Sequence, residues 1–310
     1  MSLMRTVLLS ASQSAWLRGR AMRSGMVRRA TRRFMPGEKL EDALAATREL
    51  ERGGMPTILT RLGENLASEA DATAVGDHYL HAQEQVRAAG VKSEMSVKLT
   101  QLGLDLSPET ARANLVRIAA HAETIGRTVW VDMEGSAYTQ ATLDLYRRVR
   151  AERANVGIAI QTYLRRTAAD LETLVPLGAA IRLVKGAYDE PERIAFRSRR
   201  EVDESYVRLA ERMLARPSLD AGVFPGFGTH DERIVSHLQQ HAAANGVGKD
   251  RFEFEMLYGI RRDLQARLAA EGHRSRVLIS YGEAWFPWYM RRLAERPANV
   301  WFVVRSALGR

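Results

Sequence analysis

VGIAIQTYLRRTAADLETLVPLGAAIRLV, residues 156–184, holds the repeating unit of the chain. Val156–Thr162 is almost continuously apolar, as strands buried on both faces are. Thr167-Ala-Ala-Asp170 then resembles a capping box, Leu171, Leu174 and Val175 share a helical face, and Gly178 follows the helix end. Ala180–Val184 is a second apolar run. Strand, helix and strand within about thirty residues is a parallel βαβ unit.

The same alternation extends both ways. Further strands are read at Pro56–Arg61, Glu94–Leu99, Thr128–Met133, Ala221–Phe227, Phe252–Leu257 and Arg276–Tyr281. Ser107-Pro108 gives an N-cap with proline in the first turn, Leu115, Ile118, Ala122 and Ile125 mark one face, and Gly126 closes that helix. Eight strands at intervals of roughly 25–40 residues, each followed by a helix, match a (β/α)8 TIM-like barrel of the α/β class. A doubly wound sheet is the competing arrangement, with a Gly-rich turn after an early strand. No G-x-G-x-x-G occurs, and Pro225-Gly-Phe-Gly228 lacks the third glycine. Residues 1–50 are expected to form an N-terminal helical arm or cap, with Leu40, Leu44, Thr47 and Leu50 on one face. Residues 51–310 are expected to form the catalytic barrel, since no Ser/Gly linker marks a second domain.

The chain has a net charge of +9, which resembles a nucleic-acid signal until it is located. Residues 1–37 contain eight arginines and no acid, so the 46 basic residues leave 38 for the remainder, against 37 acidic ones. The body is therefore balanced, and no nucleic-acid partner is expected. The N-terminal segment is too interrupted to span a bilayer, and a secretory signal fits it poorly. A basic amphipathic helix lying on protein or on anionic lipid suits it better. The absence of cysteine excludes disulfides, thiolate nucleophiles and cysteine-ligated metals, and fits a cytoplasmic protein, peripheral at the inner face of the membrane if the arginines meet lipid. His237 and His241, like His78 and His81, read as exposed helix faces, and no metal is expected.

Barrel active sites lie at the C-terminal strand ends. Lys98, Asp132, Gln161, Arg182, Lys185, Thr229, His230, Glu255 and Tyr281 stand in or just after the apolar runs there. Each one singly reads most simply as a structural ion-pair or core residue. Together, four cations (counting His230 if it is protonated) against two carboxylates suggest an anionic ligand.

Ser96-Val-Lys98-Leu, Val131-Asp132-Met-Glu134, Gln161-Thr-Tyr163, Arg182-Leu-Val-Lys185-Gly-Ala-Tyr188, Gly228-Thr-His230 and Arg291-Arg292-Leu-Ala-Glu295-Arg-Pro-Ala-Asn299 resemble, in order and spacing, the motifs of the proline dehydrogenase family. The resemblance runs through about residues 55–300. It implies non-covalent FAD, oxidation of L-proline to Δ1-pyrroline-5-carboxylate, and a membrane quinone as electron acceptor. By the same carry-over, Lys98, Arg291 and Arg292 hold the substrate carboxylate and Tyr281 packs on its ring. Met133, Gln161, Arg182, Lys185, Gly186, Ala187, Thr229 and His230 meet the cofactor. Asp132 and Arg182 sit at the reacting centre, and Glu64 could pair with Arg291 as a gate. The family usually has tyrosine three residues before the paired arginines, where this chain has Trp288.

Other readings stay open from sequence. One is a hydroxyproline oxidase of the same family, another a barrel aldolase with Lys98 or Lys185 as Schiff-base lysine. A third is an inert barrel bearing a lipid- or nucleic-acid-binding arm.

Overall fold

The computed structural model of the chain describes residues 31–63, 66–286 and 290. Eight strands, β1 (Thr57–Arg61), β2 (Glu94–Val97), β3 (Val129–Val131), β4 (Val156–Gln161), β5 (Ala180–Val184), β6 (Phe224–Gly228), β7 (Glu253–Leu257) and β8 (Arg274–Tyr281), pair in sequence order. The last closes on the first, so every ladder is parallel and the barrel has no edge. The expected (β/α)8 fold is the one observed.

Nine α-helices are described: α1 (Leu40–Arg52), α2 (Glu69–Ala88), α3 (Pro108–Thr124), α4 (Thr139–Glu152), α5 (Thr167–Leu174), α6 (Arg199–Leu214), α7 (Arg216–Asp220), α8 (Glu232–Ala244) and α9 (Arg262–Ala270). Most local signals act as read. Ser107 Oγ accepts from Thr110 N at 3.2 Å to start α3, and Gly126 takes a left-handed turn after it. The capping box at Thr167 does not form. Thr167 is buried, and its hydroxyl donates to the Gln161 carbonyl, while Asp170 pairs with Arg166 Nε at 2.8 Å. Strand β6 begins later than Ala221 because Ala221-Gly222 turns the chain out of α7, with Gly222 at φ +91°. Lys98 and Asp132 fall just beyond β2 and β3, at the mouth.

Helix α1 runs along the outer wall against β8 and β1. The segment before it meets the mouth, where Trp285 Nε1 donates to Glu38 at 3.0 Å; its end meets the chain entering β2, where Glu51 accepts from Lys92 N at 2.6 Å.

Strand alternation gives this barrel an apolar outside and a charged inside. Met95, Val97, Val129, Val131, Ile158, Ile160, Ile181, Leu183, Val277 and Ile279 belong to the buried core that takes in the helices. Inward positions are Glu94, Ser96, Trp130, Arg182, Glu253, Glu255 and Arg276, where branched apolar residues usually fill such barrels. At the lower level Arg276 Nε donates to Glu253 at 2.7 Å and lies 3.4 Å from Glu94. The Trp130 indole donates to Glu94 at 2.6 Å. Its ring occupies the barrel centre because Gly157 stands opposite: a Cβ there would meet Trp130 Cε3 at 2.7 Å. Burial pushes the Glu94 carboxyl above its ordinary range, and the Arg276 charge opposes that rise.

Removing one member of such a set strands the others. Arg276→Met is expected to destabilise the fold by about 3–5 kcal/mol in urea unfolding. Replacing Arg276, Glu94 and Glu253 together with apolar residues of matching volume should cost clearly less.

Candidate active site

The mouth of the barrel opens into a cavity of about 680 Å³. Arg182 rises from β5 at its floor. Its Nε donates to Glu255 at 2.6 Å, its Nη1 to Asp132 and to Ser96 Oγ, both at 3.0 Å, and its guanidinium lies 4.6 Å from the Trp130 ring centre. Ser96 Oγ in turn donates to Asp132 at 2.7 Å, and Lys98 Nζ lies 3.5 Å from the other Asp132 oxygen. Glu255 fits beside Arg182 because its neighbour across the ladder is glycine; a Cβ at Gly226 would collide with Glu255 Oε1. Burial raises the Glu255 carboxyl well above its ordinary value, with the Arg182 charge pulling the other way.

Lys98, Asp132, Met133, Gln161, Arg182, Lys185, Gly186, Ala187, Thr229 and His230 all line this one cavity. Gln161 donates to the Met133 carbonyl at 3.0 Å. Gly186 takes φ +107°, and a Cβ there would run into the Tyr163 ring, so glycine is the residue that fits this point of the lining. Thr229 Oγ1 accepts from Asp231 N at 3.1 Å, which sets the turn from β6 into α8.

Two expectations need correction. Tyr281 does not line the cavity: β8 turns Leu278 and Ser280 inward and Tyr281 out towards α2. It is 1% exposed, with its hydroxyl 2.8 Å from His78 Nε2. The cation excess also shrinks. His230 Nε2 accepts the Leu257 backbone N–H at 3.0 Å, a bond only an unprotonated nitrogen can make. Lys185 is paired with Asp203 on α6 and lies 3.4 Å from Asp231, at the start of α8. Burial opposes ionisation of Asp231, yet hydrogen bonds from Arg233 and the charge of Lys185 hold its carboxyl at about 2. Arg291, Arg292 and Glu64 lie outside the described residues.

Sequence reasoning passed over Ser96, Trp130, Asp231, Arg199 and Arg261. Arg199 reaches Asp203 at 3.7 Å and Asp231 at 3.4 Å, and it also lines the cavity. Arg261 is the one non-glycine residue of the described chain with positive φ, +51°, a conformation that costs about 1–2 kcal/mol and often accompanies function. It is anchored by Asp263 and Glu232 at 2.8 and 2.9 Å. Two-residue spacing from Lys98 pointed to Ser96, and from Asp132 to Trp130. Nothing in the sequence singled out Arg199 from other helical arginines.

This arrangement offers a concave site with a fixed buried cation, a second cation and a carboxylate at its floor, and Gly186 in its lining. It can bind a small anion. Residues 43–305 match the family described as proline dehydrogenase.

The chain belongs to the proline dehydrogenase family.

Among its members, the proline dehydrogenase of Deinococcus radiodurans is 40% identical over 281 residues, covering 89% of each chain. Proline dehydrogenase 1 of Bacillus subtilis is 38% identical, covering 99% of each. A crystal structure of proline utilization A from Bdellovibrio bacteriovorus superposes with TM-score 0.81 over 94% of this chain, at 23% identity, which speaks for the fold. This chain spans 36% of that longer one. Among the described residues no helix is long and apolar enough to cross a membrane.

The His78–Tyr281 contact gives a test of the outer wall. Burial, with the nearby Arg61 and His81 charges, lowers the His78 pKa from 6.5 to about 4. Between those values the unfolded chain binds the extra proton, so this group's contribution is lost as pH falls from about 6.5 towards 4. Melting temperature should decline through that window, and His78→Gln should flatten the decline.

Proposed function

We propose that the barrel oxidises L-proline to Δ1-pyrroline-5-carboxylate, with FAD held non-covalently in the cavity and a membrane quinone receiving the electrons. The observation that carries this reading is the convergence of Lys98, Asp132 and Arg182 on one cavity in a chain of this family.

The cavity suits such a cofactor on two grounds. Arg182 Nη2 and Gln161 Oε1 are buried polar atoms without a partner among the described residues, one a donor and one an acceptor, as a heteroaromatic ring edge requires. Gly186 leaves a backbone surface that a planar ring can approach. FAD, when bound, supplies the two-electron acceptor for the hydride lost from C5 of proline. Met133, Gln161, Lys185, Gly186, Ala187, Thr229 and His230 would hold it.

The protein's own part is electrostatic. Arg182 is fixed on three sides before substrate arrives, so its charge stands ready where negative charge develops, with no reorganisation at the moment of reaction. Lys98 offers its ammonium to the proline carboxylate, and by family resemblance Arg291 and Arg292 add planar, bidentate donors. Asp132 is the candidate acceptor for the amine proton that must leave as C5 loses hydride, since Ser96 and Arg182 both orient it. Glu64 remains a candidate gate with Arg291.

An aldolase mechanism is less well supported. Schiff-base lysines work from apolar pockets or beside other cations. Lys98 and Lys185 each face carboxylates. Electron delivery to a quinone is carried over from the family resemblance, and the arginine-rich stretch at the N-terminus is the candidate contact with anionic lipid.

The purified protein should be yellow, and L-proline should bleach it anaerobically; a colourless protein that takes up no FAD would sink the proposal. Arg182→Met should lower kcat by a factor on the order of 10² or more, the scale of losing one preorganised charge-stabilising donor. Arg291→Ala should instead raise KM for proline with flavin content unchanged. Wild-type kinetics in both variants would overturn the assigned roles.

A further inference from the structure

His237 and His241 lie one turn apart on α8, and sequence spacing offers them no third ligand. The fold brings one from a neighbouring helix, 26 residues earlier in the chain. Glu211 on α6 presents a single oxygen to both rings, 2.7 Å from His237 Nε2 and 3.5 Å from His241 Nδ1. The imidazoles stack with centres 6.3 Å apart and planes inclined at 29°. We propose that Glu211, His237 and His241 bind one borderline transition-metal ion of the Zn²⁺, Ni²⁺ or Cu²⁺ type.

The three ligand atoms lie within 4.8 Å of one another. A tetrahedral Zn²⁺ with bonds of about 2.0–2.2 Å sets its ligands roughly 3.3–3.6 Å apart. Closing that gap takes side-chain rotation alone, and these side chains are free to rotate: His237 is 46% exposed, Glu211 35% and His241 28%. Two imidazoles and one carboxylate suit Zn²⁺, Ni²⁺ and Cu²⁺, whereas Ca²⁺ and Mg²⁺ take oxygen ligands. The remaining coordination positions face solvent and take water. Arg208 and Arg233 line the adjoining groove, and their charge makes this a weaker site than a buried structural one.

The bland reading of the same geometry is a surface His–Glu pair. It differs in consequence. An ion here ties α6 to α8, the two helices whose N-terminal portions provide Asp203 and Asp231 to Lys185. From Glu211 back to Asp203 is about two helical turns, on the order of 12 Å. The ion would therefore brace the pair of helices that hold one wall of the cavity, from the outside. This holds whatever reaction the cavity performs.

The test uses the full-length, untagged holoprotein, stripped with a chelator and titrated with ZnCl₂ by calorimetry. One ion per chain should bind with micromolar affinity and raise the melting temperature. His237→Ala and His241→Ala should each weaken binding at least tenfold while leaving the metal-free melting temperature unchanged, and Glu211→Gln should weaken it less. Electron paramagnetic resonance of the wild-type protein with one equivalent of Cu²⁺ needs no variant and should show coupling to two imidazole nitrogens. Failure of Zn²⁺ to saturate at one equivalent, undiminished affinity in the double histidine variant, or a Cu²⁺ spectrum without nitrogen coupling would each overturn the proposal.

Discussion

Arg182 carries a full positive charge to the centre of a closed barrel, where it cannot be left alone. Moving an ion out of water costs several kcal/mol even after relaxation, and an unpaired one would not persist. Glu255 and Asp132 answer the charge from β7 and from the end of β3, and Trp130 lends its ring face from below. Most of the local architecture serves that enclosure. Gly226 gives up its side chain to admit Glu255, and Gly157 gives up its own to admit Trp130. Ser96 bridges Arg182 and Asp132.

The lower ion set of Glu94, Glu253 and Arg276 continues the same logic down the barrel axis, with Trp130 joined to both levels. Buried networks of this kind seldom add net stability over an apolar filling. What they supply is geometry. A guanidinium held by two carboxylates has one orientation, and the cavity above inherits a fixed charge.

The fold was legible because it rests on period. Eight short apolar runs alternating with capped helices leave few alternatives, and each strand falls within three residues of where its pattern put it. The Thr167 cap failed because the nearby Gln161 carbonyl, at the strand end, offered its hydroxyl a better partner than the helix did. The mouth residues were legible one by one, since a charge in an apolar run stands out. Their partners were less so. Asp203 and Arg199 sit on a helix whose charges look like any solvated face, and only the fold turns them towards Lys185. Tyr281 misled because strand ends were read without parity; counting in twos from Arg276 through Leu278 and Ser280 turns it outward.

Helix α1 has a consequence for how the molecule forms. It leaves the ribosome before any strand, yet its apolar face rests on β8, more than two hundred residues later. Contacts of such long sequence separation are slow to find and leave an apolar stripe exposed meanwhile. That helix must therefore wait, uncovered, until the final strand has closed the circle, and that interval is when a chaperone would have most to protect.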